Sequence, residues 1–164
     1  MTKEEFLEGM TLLGVAYNKE FTKEQVSVWY SMLGEYSKEE FRDAIKELVK
    51  TEEYLPSIAK VTNQIAERKT SNLPNAEDEW NEVLNAVHRY GSYRQQEAME
   101  HLKPYTAYIT RHIGYQNICM SEDNTWNRKE FIEEYNSMKE HEKELIQIGS
   151  KTSLFTRNQL ETED

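Results

Sequence analysis

The side chains able to carry covalent, metal or acid–base chemistry are few and scattered. His88, His101, His112 and His141 have no second His or Cys one helical turn away. A metal site built on them would need ligands brought in by the tertiary fold, so the plain reading is ordinary helix-surface or half-buried histidines. Cys119 is the single cysteine. It cannot close an internal disulfide, and as a nucleophile it would need a positioned base. The six glycines stand at 9, 14, 34, 91, 114 and 149 and form no phosphate loop, which excludes nucleotide hydrolysis by the P-loop route. Glu52 and Glu53, and the run Glu77, Asp78, Glu79, are paired carboxylates at expected helix ends. Acid at a helix start favours the helix dipole, so Glu77–Glu79 reads as structural. Arg89, Arg94, Arg111 and Arg128 could converge on a phosphate or carboxylate; pairing with the surplus of acids is the simpler expectation. The sequence therefore implies no catalytic residue, no cofactor, no metal and no enzyme.

The elements that would position these groups are helices. Thr2 opens the first, with Phe6, Met10, Leu13 and Tyr17 on one stripe. Thr22 to Gln25 and Ser37 to Glu40 are capping boxes. They precede the stripes Val26, Trp29, Leu33 and Phe41, Ala44, Ile45, Leu48. Pro56 ends the third helix before Leu55 and suits the first turn of a fourth, whose stripe is Ile58, Val61, Ile65. Residues 70–75, with Pro74, read as a linker. Asn75 can cap a helix bearing Trp80, Val83, Leu84 and Val87, with Gly91 as its stop. Ser92 to Gln95 has the look of a further capping box. Pro104 divides the next segment, Gly114 offers a stop, and residues 115–124 read as a loop. From Thr125 the run Trp126, Phe131, Tyr135, Met138, Leu145 predicts a long helix to about Ile148.

The fold class expected is all-α, as two small helical units: about four helices over 1–69, a linker at 70–75, three to four helices over 76–149, and a tail at 150–164. The expected core includes Phe6, Met10, Leu13, Trp29, Leu33, Phe41, Ile45, Pro56, Ile58, Val61, Trp80 and Val83, with Trp29, Trp80 and Trp126 as aromatic anchors.

Charge narrows the function classes. The 164 residues carry 20 basic and 30 acidic groups, a net of −10, and no segment is a basic arm. Such a chain gains little from counterion release, which disfavours direct nucleic-acid binding and suits a basic protein partner or plain solubility. No apolar run approaches the roughly 18 residues of a membrane span and no signal peptide follows Met1, so a cytosolic protein is expected. The tail sets Leu154, Phe155 and Leu160, with Arg157 beside them, among polar residues. Such a segment suits a partner groove or packs back on the second unit.

The order of these residues resembles a known family. Phe6, Met10, Leu13, Tyr17, then Trp29, Tyr30, Leu33, then Phe41, Ala44, then Leu55, Pro56, Ser57, Ile58, Ala59 is similar to the pattern of phage replicative-helicase loader/inhibitor proteins over about residues 3–68. Trp80, Val83, Tyr90, Gly91, Leu102, Ile113, Gly114, Arg128, Phe131 and Tyr135 look like the C-terminal extension of such proteins. The resemblance implies an ATPase-lacking adaptor in the host bacterial cytoplasm. It would bind a hexameric DnaB-type helicase, restrain it and deliver it to the origin through a phage origin-binding protein. The alternative is a small DNA-binding replication or regulatory protein, with the helices around Ser37 as a helix-turn-helix. A homo-oligomeric or host-takeover inhibitor is a third class.

Overall fold

A computed structural model of the chain describes residues 1–149. These form nine α-helices and no strand among the described residues. They fall into two compact units: residues 1–72 with 143–149, and residues 73–142. Assigning 143–149 to the first unit departs from the expected boundary at 76–149.

In the first unit, α1 is Lys3–Ala16, α2 Lys23–Leu33, α3 Lys38–Thr51 and α4 Ile58–Ser71. The first three begin with complete capping boxes. Thr2, Thr22 and Ser37 each accept from the third-residue backbone N–H, and Glu5, Gln25 and Glu40 reach back to the cap. Each box satisfies two otherwise orphaned donors and stabilises by about 1 kcal/mol. Helix α3 packs on α1 and α4. Phe6, Leu13, Leu33, Phe41, Ile45, Val61 and Ile65 are buried together, and Ile146 joins them. Phe6 stacks on Phe41 at 5.1 Å between ring centroids. Trp29 and Ile58 sit half-buried at the edge of this core.

Two local expectations change here. Pro56 is buried but lies outside α4, because Ser57 takes the N-cap and accepts from the Lys60 N–H. Proline therefore precedes the cap instead of filling the first turn. Thr70 and Ser71 are helical, not linker; the Thr70 hydroxyl donates to Ala66 O at 2.9 Å and its side chain is buried.

In the second unit, α5 is Ala76–Tyr90, α6 Gln95–His101, α7 Pro104–Ile113, α8 Tyr115–Met120 and α9 Thr125–Gln147. Asn75 caps α5 and Gly91 ends it at φ 62°, the left-handed region that a side chain resists. The expected capping box at Ser92–Gln95 does not form: Arg94 is the N-cap of α6, with no side-chain cap bond. Its guanidinium turns back instead, donating to Arg89 O and Tyr90 O at the end of α5. Residues 115–120 are helix α8, not loop. Gly114 stops α7 at φ 100°, and the Asn117 and Ile118 N–H groups start the next turn on Gly114 O. Trp80, Val83, Ile109, Tyr115, Ile118, Phe131 and Tyr135 make the core. Trp126 is not part of it. It is 70 % exposed, so its place on the apolar stripe of α9 does not carry it inward.

Candidate functional site

In the first unit, an apolar groove of ≈ 590 Å³ runs along α1, the loop to α2 and the start of α2. Leu7, Gly14 and Val15 come from the outer face of α1, and Phe21 and Val26 close the far side. Asn18 at φ 47° turns the chain, and the Lys19 N–H bonds Gly14 O at 2.8 Å. Val15 is 77 % exposed. The groove can take an apolar side chain; no histidine, cysteine or carboxylate pair lines it, Glu20 and Lys19 being its only charged residues.

The most enclosed polar group of the second unit is Glu79, buried on α5. Lys103 Nζ donates to one carboxylate oxygen at 2.5 Å and the Thr106 hydroxyl to the other at 2.5 Å. Tyr105 and Tyr135 lie beside it, their rings 5.6 Å apart, and the Tyr135 hydroxyl donates to Pro74 O at 2.8 Å. Burial pushes the Tyr105 phenol up to about 12, and the neighbouring Glu79 charge adds to this. Tyr135 is raised for the same first reason, with Tyr105 contributing. Burial likewise lifts Tyr115 to about 12 and raises the Cys119 thiol. A thiol pushed upward carries less thiolate, the opposite of what a nucleophile needs. The arrangement ties α5 to α7 and satisfies every oxygen of Glu79; it is a structural clamp.

The four arginines do not converge. Arg128 is paired with Glu77, Arg94 lies 3.7 Å from Glu97, and Arg89 and Arg94 both lie over the Tyr90 ring at about 5.5 Å. His112 Nδ1 is 2.8 Å from Glu134. Among the described residues, no three His, Cys, Asp or Glu side chains stand where they could hold a metal ion, and no helix is long and apolar enough to cross a membrane. Leu154, Phe155, Arg157 and Leu160, the expected partner contacts, lie outside the described residues. Sequence reasoning missed the Glu79 clamp; an acid flanked by Ala76, Trp80 and Val83 on the buried face of α5 was its only signal.

The first unit is thus a small capped four-helix domain with an apolar surface groove, the type of a binding module. Residues 1–62 match the family model of the N-terminal domain of the phage gene 39 protein, a helicase-binding protein that inhibits and loads DnaB-type helicase. The resemblance read from the sequence holds over those residues. No curated protein and no solved structure matches the chain.

Proposed function

We propose that the chain is a phage DNA-replication accessory protein, not an enzyme, acting in the host bacterial cytoplasm. It binds a hexameric DnaB-type replicative helicase, restrains it and helps load it at the origin, with a phage origin-binding protein as a second partner. The match of residues 1–62 to the N-terminal domain of that phage helicase-binding family carries this reading. The missing phosphate loop supports it: energy for unwinding then comes from the partner. The acidic chain supports a protein partner over naked DNA. Leu154, Phe155 and Leu160, with Arg157, are the proposed helicase contacts, as apolar anchors in a polar segment. Size-exclusion chromatography of the full chain with the helicase, with and without ATP, tests the reading. Co-migration is expected; its absence in both conditions overturns the proposal. Origin-dependent unwinding assays then separate a loader from a pure inhibitor.

One observation keeps the DNA-binding reading in play. Arg42, Lys46 and Lys50 stand one turn apart on the exposed face of α3. Helix α3 nonetheless packs on α1 and α4 instead of lying against α2 as a helix-turn-helix would require. A low-salt mobility-shift assay with origin DNA decides; tight binding by this chain alone would reverse the ranking.

A further inference from the structure

Helix α8 ends on Met120 and α9 begins with Trp126, and both side chains stand out of the core, at 76 % and 70 % exposure. Single exposed apolar residues are common and mean little. These two line one cleft of ≈ 450 Å³, floored by the edge of Ile113. Tryptophan and methionine are enriched at protein interfaces, and tryptophan is among the residues that dominate binding energy there. The charged residues of the cleft are Asp123 and Glu130, with no cation among the lining side chains. Glu122 is exposed next to Asp123. Lys129 is the nearest base; it lies over the Trp126 ring at 5.9 Å and 3.7 Å from Glu133. Asp123 is held anionic and in place, because the Thr125 hydroxyl and N–H both donate to its carboxylate. The rim is thus negative and preorganised around an apolar centre.

We propose that the Trp126–Met120 cleft is a docking surface for a protein segment that offers an apolar side chain flanked by Lys or Arg. Resting on the reading above, that segment belongs to the helicase. The apolar centre supplies holding energy and the carboxylates steer a basic partner. This places a contact on the second unit, beyond the residues that match the family domain.

The test is binding of the full chain to the immobilised DnaB-type helicase at low and high salt, with two double variants. Circular dichroism confirms that each variant folds, which exposed positions permit. Trp126→Ala with Met120→Ala should weaken binding more than about tenfold. Asp123→Asn with Glu130→Gln keeps a capping side chain at 123, and should weaken binding at low salt and converge with the wild type at high salt. Acrylamide quenching of Trp126, isolated by difference against Trp126→Phe, should fall in the complex. Wild-type binding that both variants leave unchanged overturns the docking surface alone. Loss in the apolar variant only overturns the basic character of the partner. No binding by the wild type overturns both this inference and the helicase reading.

Discussion

Gly9 shows what a single residue decides in the first unit. It sits in the middle of α1, where glycine costs about 1 kcal/mol relative to alanine. Yet a Cβ there would fall inside the van der Waals reach of the buried Phe41 ring, which is itself stacked on Phe6. Overpacking a filled core costs about 1–3 kcal/mol. Gly9→Ala is therefore expected to leave stability unchanged at best and to lower it by about 1–2 kcal/mol on balance. A shift in the urea midpoint at constant slope reports this, and a clear gain in stability would contradict the packing. Glu79 is the opposite case, a charge held inside. Glu79→Ala removes the acceptor of both Lys103 and Thr106 and is expected to cost about 2–3 kcal/mol. Arg128→Ala breaks only the exposed pair with Glu77 and should cost less than about 1 kcal/mol. Equal losses in urea unfolding would contradict the assignment of Glu79 as a clamp. Neither residue advertised itself in the sequence, because both owe their importance to neighbours 24 to 32 positions away, such as Phe41 and Lys103.

At the scale of elements, the capping boxes were legible because their chemistry is contained in four residues: Thr22 with Gln25, Ser37 with Glu40. Helix α8 was not, because six residues after a glycine carry less than two turns of pattern. Trp126 follows the right period on α9 and still faces water, since a period locates a stripe but not the neighbour that covers it. Pro56 was displaced from the first turn of α4 because Ser57, one step on, offers the better cap. Packing of α5, α7, α8 and α9 also sets a pH response. Folded Tyr105 and Tyr115 have their phenols raised from 10.0 to about 12 by burial, and Tyr135 is raised too. The unfolded chain releases these protons first, so their contribution is fully present below pH 10 and is lost as pH rises toward 12. Alkaline unfolding of the second unit, followed by tyrosinate absorbance with circular dichroism, is expected in that window. Tyr105→Phe should make stability fall less steeply there; an unchanged slope would contradict the burial of this phenol.

At the scale of the whole chain, the first unit is not complete at the end of α4. Residues 143–149 belong to it, and Ile146 is buried in its core. The Tyr36 hydroxyl donates to Ile146 O at 2.7 Å and Gln147 O at 3.2 Å, satisfying carbonyls that the end of α9 leaves without an intrahelical partner. Lys143 adds an ion pair to Glu67 at 3.3 Å. A pairing across 110 residues leaves no trace in local pattern, so the sequence reading ended the unit at residue 69. The family match, which stops at residue 62, runs short of it as well. Ile146→Ala removes a buried side chain and should cost the first unit about 2–4 kcal/mol. Tyr36→Phe should cost about 1 kcal/mol through the lost hydrogen bonds. A fragment of residues 1–72 should then unfold at lower urea than the same unit in the full chain. In that fragment, Tyr36→Phe should have almost no further effect, because its acceptors are already gone. If Tyr36→Phe destabilises the fragment as much as the full chain, residues 143–149 do not complete the domain.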